Sequence, residues 1–229
     1  REGLGVPLEL SLAVHSDAGY RTDDTSLIGS LAVCTTRFND GRLNAGISRL
    51  ASRDFAQTHL DNLSTDLAAK GITRPIRELR DQNYSETRLP EVPSAIIETL
   101  SHQNFNDMRL GLDPDFRFTM ARSFYKSILK FVTRQHNDDY QVTPLTPTYF
   151  AVDIDANNGV ATLSWSPVND PLEPTARPTG YVVYTATGSA DFDNGTVVGN
   201  NTSTAIHLEP GVLYSFRVAA INKGGCSFP

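Results

Sequence analysis

Leu8-Glu9-Leu10-Ser11-Leu12-Ala13-Val14-His15 and Pro93-Ser94-Ala95-Ile96-Ile97-Glu98 are the two stretches whose reading decides the fold of the first part of this chain. Each is a short apolar run that ends in one ionisable residue. Runs of this length bounded by polar residues read as buried strands, too short for an ordinary helix. A buried strand of an open α/β sheet delivers the residue at its C-terminal end to the crevice where such sheets bind ligands. An imidazole and a carboxylate brought together in this way suit a hydrolytic zinc site.

The neighbouring sequence extends the pattern. Leu27 to Thr36 reads as a second strand and Ile76 to Leu79 as a short one. Arg49 to Lys70 reads as a helix with Ala56, Leu60, Leu63 and Leu67 on one stripe and Lys70-Gly71 as its C-terminal signal. Asp113-Pro114 opens a last helix running to about Thr133, with Asp as N-cap and Pro in the first turn. Its expected buried stripe is Phe118, Ala121, Tyr125, Ile128 or Leu129, and Val132. Strand and helix alternate, which predicts an α/β three-layer sandwich over residues 1–140.

The composition changes near Tyr140. Gln141 to Thr146 predicts an extended linker leading to Pro147, and residues 147–229 carry β-branched runs broken by Gly, Pro and Asn. Ala161 to Trp165, Gly180 to Tyr184, Ser203 to Leu208 and Tyr214 to Ala220 are the strand candidates, spaced for an all-β sandwich. The 229 residues are enough for two domains. A net charge of −6 and a pI near 5.3 argue against a nucleic-acid partner. No apolar run reaches the roughly 18 residues of a membrane span. Arg1-Glu2-Gly3 leads into a strand pattern rather than a signal peptide. Cys34 and Cys226 fall in different predicted domains, and neither neighbours another ligand type at zinc spacing, so they leave the redox compartment open.

Two resemblances follow from particular residues. Trp165, the segment Leu208-Glu209-Pro210-Gly211-Val212-Leu213-Tyr214-Ser215-Phe216-Arg217-Val218 and the turn Asn222-Lys223-Gly224-Gly225 resemble a fibronectin type III domain. The resemblance implies a buried strand-B tryptophan, a tyrosine corner at Tyr214 and a final strand beyond Pro229. The N-terminal part, about Gly5 to Thr133, resembles the zinc-dependent N-acetylmuramoyl-L-alanine amidases. It does so through Ser11 to Asp17 around His15, and through Pro93 to Glu98 followed by Asn104, Asp107 and a terminal helix. By that resemblance His15 is a zinc ligand and Glu98 the catalytic carboxylate. The resemblance implies cleavage of the amide between muramic acid and L-alanine in peptidoglycan, by a secreted or periplasmic protein.

Two departures accompany the match. Leu100-Ser101 stands where the family has a Gly-Phe pair, so the pocket wall should differ. The family takes a further His and a Glu ligand from upstream of His15, and none of the fourteen preceding residues is His, Cys or Asp. The stretch is therefore expected to be a fragment lacking those zinc ligands, with little activity alone. His102 is a candidate for lining the site, and Tyr84, Arg88 and Arg109 are candidates for contacting a peptide carboxylate. Two alternatives keep the same fold. One is a related zinc exopeptidase or amidohydrolase that clamps a terminal carboxylate with an arginine. The other is a non-catalytic protein for glycan binding or adhesion.

Overall fold

The computed structural model describes residues 8–19, 26–73 and 75–229; Arg1-Glu2-Gly3 lies outside the described residues. The chain divides into two compact units, Arg1–Asp138 and Asp139–Pro229.

The first unit is a helix-plus-sheet fold. Its elements are β1 (Ser11–Asp17), β2 (Ser30–Cys34), α1 (Leu50–Ala69), β3 (Ile76–Asp81), α2 (Ser85–Arg88), β4 (Ser94–Ser101), α3 (Phe105–Leu112) and α4 (Pro114–His136). The sheet order is β1-β4-β2-β3. β1 runs parallel to β4 and β2 parallel to β3, while β2 and β4 are antiparallel, so the sheet is mixed. Every residue of β2 is buried, and β4 is buried except at Glu98. Gly29 makes the entry to β2 feasible: its φ is +84°, and a Cβ there would lie 1.9 Å from the Pro75 carbonyl oxygen.

Side chains alternate across the sheet. Ala95 and Ile97 of β4 face one way and join Ala32, Cys34 and the apolar residues of α1 and α4 in the main core. Ile96 faces the other way and packs with Leu31, Val33 and Ala13 in a second, smaller cluster. Full burial of each such aliphatic side chain contributes roughly 1.5–3 kcal/mol. The expected α1 stripe is buried, together with Phe55 and His59. Burial holds the His59 imidazole below its ordinary pKa.

The buried face of α4 differs from the expected one. Phe116, Met120, Phe124 and Phe131 are buried with Thr119, Ser123, Lys126 and Ser127, whereas Phe118 is exposed. The reason is that the α1–α4 seam is partly polar, so a stripe traced through apolar residues alone is rotated from the true one. Lys126 Nζ meets Asp66 Oδ1 at 2.6 Å, Lys130 Nζ donates to Asn62 Oδ1 at 2.7 Å, and Asn62 Nδ2 donates to Ser127 Oγ at 2.8 Å. The N-terminus of α4 is as expected: the Asp113 side chain accepts from the Asp115 N–H, with Pro114 in the first turn. The helix continues past Thr133 to His136 and closes on Asn137 in the left-handed conformation.

The second unit is an antiparallel sandwich of β5 (Thr148–Asp155), β6 (Val160–Ser166), β7 (Gly180–Thr187), β8 (Thr196–Val197), β9 (Ser203–His207), β10 (Tyr214–Asn222) and β11 (Gly225–Cys226). One sheet has the order β5-β6-β9 and the other β11-β10-β7-β8. Ala161, Leu163 and Trp165 alternate inward and meet Tyr181, Val183, Val218 and Ala220. Trp165 and Tyr181 pack edge to face with centroids 5.4 Å apart. The Tyr214 hydroxyl accepts a hydrogen bond from the Glu209 N–H at 3.1 Å, the contact a tyrosine corner makes. Ahead of β5, Val142 is fully buried; its N–H donates to Thr175 Oγ1 and its carbonyl accepts from Asn222 Nδ2. This part of the connecting segment is thus bonded into the second unit.

The Lys126–Asp66 pair is about 95 % buried on both sides, so its two halves are expected to be strongly coupled. Lys126→Met leaves a buried carboxylate without its cation and should cost about 3–5 kcal/mol in urea unfolding, whereas Lys126→Met with Asp66→Leu should recover most of that loss.

Candidate active site

The parallel pairing of β1 with β4 puts His15 directly opposite Glu98. Both lie inside their strands rather than at the ends, because β1 continues to Asp17 and β4 to Ser101. By the period of two they share the sheet face of Ala13 and Ile96, opposite the face covered by α1 and α4. His15 Nδ1 lies 3.8 Å from Glu98 Oε1. The Glu98 side chain is 19 % exposed, and its buried Oε2 has no hydrogen-bond partner among the described residues. Burial raises its pKa above the ordinary value, the negative charge of Asp17 adds to the rise, and His15 and Arg77 oppose it. Asp17 is itself held by Arg77 Nη2 at 2.6 Å.

A third residue, Glu86, joins them. Its Oε1 is 2.9 Å from His15 Nε2. Glu86 stands on α2, a single turn whose position is set from below. Thr87 is fully buried; its hydroxyl pairs with Thr35 Oγ1 at 2.7 Å, and its carbonyl accepts from Ser94 Oγ at 3.0 Å. The buried Arg49 guanidinium donates to the carbonyls of Thr87 at 3.2 Å and Arg88 at 2.8 Å. Sequence reasoning missed Glu86 because no apolar run leads into it; it singled out the flanking Tyr84 and Arg88 instead. The signal that could have marked it is indirect: the β4 run sits a few residues downstream, so any acidic residue on this turn falls beside the strand.

The other sequence candidates are placed as follows. His102 follows β4 and is exposed, its Nδ1 3.1 Å from Ser16 Oγ at the neighbouring end of β1. Tyr84 is half exposed at the start of α2. Arg88 Nη1 donates to Asn83 Oδ1 at 3.1 Å, and its guanidinium lies over the Phe38 ring. Arg109 lines a hollow of about 490 Å³ with Leu27, Gly71, Ile72, Thr73, Asn106 and Leu110, which neither His15 nor Glu98 lines. Asn104 and Asp107 are structural: Asn104 caps α3 by accepting from the Asp107 N–H, and Asp107 accepts from the N–H groups of Ser101 and Gly29. Cys34 and Cys226 are free thiols, and burial with the Asp81 charge pushes Cys34 up to about 11, which makes it a poor nucleophile.

The described donors do not by themselves make a zinc centre. A catalytic zinc takes three protein ligands. Among the described residues no group of three His, Cys, Asp or Glu side chains is arranged to hold a metal ion. The nitrogens of the His15 imidazole face Glu86 and Glu98. Among the described residues no helix is long and apolar enough to cross a membrane.

Comparison with protein families finds a match for the second unit. The fibronectin type III domain family matches residues 145–229. Solved structures similar to the chain include three N-acetylmuramoyl-L-alanine amidases. That of Clostridium difficile 630 is 14 % identical, covers 54 % of this chain and 57 % of its own, and has a TM-score of 0.43. That of Nostoc punctiforme is 15 % identical over 55 % and 58 %, with a TM-score of 0.42. That of Mycobacterium smegmatis is 24 % identical over 56 % and 55 %, with a TM-score of 0.44. The chain thus spans 55 to 58 % of the length of these structures. No curated protein matches the sequence.

The environment of Glu98 has a consequence for stability. A carboxyl whose folded pKa is raised binds its proton more tightly in the folded chain than in the unfolded one. Stability therefore falls as pH climbs from the ordinary value of 4.5 through the raised folded value, and the penalty is complete above it. Glu98→Gln, measured with a chelator present, is expected to raise Tm at pH 7 and to lose that advantage near pH 4. An unchanged difference across that range would place the Glu98 carboxyl in an ordinary solvated environment.

Proposed function

We propose that the first unit belongs to a hydrolase that cleaves amide bonds of peptidoglycan, with Glu98 as the group that moves the proton. The observation that supports this most directly is the Glu98 carboxylate itself. It is partly desolvated, carries one oxygen without a hydrogen-bond partner among the described residues, and stands beside an imidazole on the adjacent parallel strand. A carboxylate of raised pKa can accept the proton of an attacking water and return it to the leaving amine. Asp17, ion-paired with Arg77, is near enough for its negative charge to favour the protonated form of Glu98.

The residue pattern around His15 and Glu98 supports the amide between muramic acid and L-alanine as the bond. It also supports zinc as the metal, with His15 as one of its ligands. Since the described donors do not complete a zinc centre, the proton transfers above are assigned to side chains alone. The arginine placements favour this substrate over a terminal carboxylate: Arg88 is turned to Asn83, and Arg109 lines a hollow without His15 or Glu98. The fibronectin type III domain we assign a tethering role on an extracellular polymer, in a secreted or periplasmic setting. The second reading tested beside it is a non-catalytic glycan-binding protein.

The test uses the longest natural polypeptide that contains this sequence, incubated with purified peptidoglycan. New L-alanine amino termini should appear without new reducing ends, and Glu98→Gln should lower their rate about 10²–10⁴-fold while leaving binding to the polymer unchanged. Reducing ends in place of amino termini would remove the amidase reading. Binding with neither product would establish the glycan-binding one.

A further inference from the structure

Glu86 is the residue of this site that neither sequence spacing nor the hydrolase reading accounts for. Of the two carboxylates facing His15, only Glu86 is at hydrogen-bonding distance: 2.9 Å from Nε2, against 3.8 Å between Nδ1 and Glu98. A neutral imidazole has one N–H donor and one bare acceptor nitrogen, and an ionised carboxylate only accepts. The short contact therefore puts the hydrogen on Nε2 and leaves the Nδ1 lone pair facing Glu98. An isolated surface pair of this kind would carry little weight, since such pairs contribute about 0–1 kcal/mol. What distinguishes this one is the support beneath it. The Arg49 guanidinium, 3 % exposed, holds the two carbonyls that follow Glu86 in the chain, and buried Thr87 is bonded to Thr35 and Ser94.

We propose that Glu86 is a positioning residue for this site: it fixes the tautomer and ring plane of His15 so that Nδ1 is presented as an acceptor toward Glu98. Two acceptors facing each other across 3.8 Å call for a donor between them. A water molecule meets that need, donating one hydrogen to Nδ1 and the other to Glu98. Arg49 acts one step further back, by holding the turn that carries Glu86. The meaning of this geometry for catalysis rests on the hydrolase reading; the tautomer itself does not.

Long-range ¹H–¹⁵N correlation spectra of the ¹⁵N-labelled chain, taken at pH 8.5 and assigned by comparison with His15→Gln, read the tautomer directly. Wild type is expected to show Nε2 protonated and Nδ1 bare. In Glu86→Ala the remaining carboxylate is Glu98, so the population should move toward Nδ1–H, while Glu86→Gln, whose side-chain oxygen still accepts, should retain the wild-type pattern. Arg49→Lys should broaden or mix the two states by loosening the turn. If peptidoglycan is cleaved, Glu86→Ala should lower kcat on the order of tenfold with KM unchanged, and Glu86→Gln should keep most of it. Nδ1–H in the wild type, or an Ala variant with an unaltered tautomer, overturns the proposal and leaves the role of Glu98 standing. The expected tautomers in a protein that cleaves nothing would remove the hydrolase reading alone.

Discussion

The parallel register of β1 on β4 is the constraint on which the site depends. It pairs Ser11 with Ser94 and continues residue for residue to His15 opposite Glu98, with a register shift only after that pair. A slip of one residue in β1 would send His15 to the opposite face, among the core residues of α1 and α4. The register is held because Leu10 and Leu12 pack on the main core while Ala13 packs with Ile96 on the other face. Apolar packing on both sides of the sheet thus decides where an imidazole meets a carboxylate.

The same sheet explains the electrostatics. Ile96, Leu31 and Val33 form a small apolar floor on the face that carries Glu98, and they displace the water that would otherwise stabilise its charge. The polar groups at the rim are paired among themselves: Asp17 with Arg77, Glu86 with His15, His102 with Ser16. Glu98 keeps one buried oxygen, as Arg77 keeps its Nε, without a hydrogen-bond partner among the described residues. A buried polar atom without a partner is costly in a folded chain. Its persistence at this position is consistent with a group that meets a water or a substrate.

The two units answer to different physics. The first is built by helices packed on a sheet, with a seam between α1 and α4 that depends on Asn62, Asp66 and Lys126 as well as on phenylalanines. The second is a sandwich closed by alternating residues around Trp165 and locked by the Tyr214–Glu209 contact. Chemistry-bearing groups gather in the first unit, while the second presents the features of a structural module.

The linear chain determined much of this, because strong local patterns carry their own meaning. Apolar runs gave away β1, β2 and β4, Asp113-Pro114 marked the start of α4, and the Tyr214 segment identified the sandwich. His15 and Glu98 were legible because each interrupts such a run. Tertiary structure alone decided the rest. The mixed strand directions, the rotation of the buried face of α4 and the arrival of Glu86 beside His15 all arise from contacts between residues remote in the chain. Periodicity measures apolar spacing, so it could not register Lys126 and Ser127 as interior. It could not reveal that Arg49, 37 positions away from Glu86 (86 minus 49), holds the turn that completes the site.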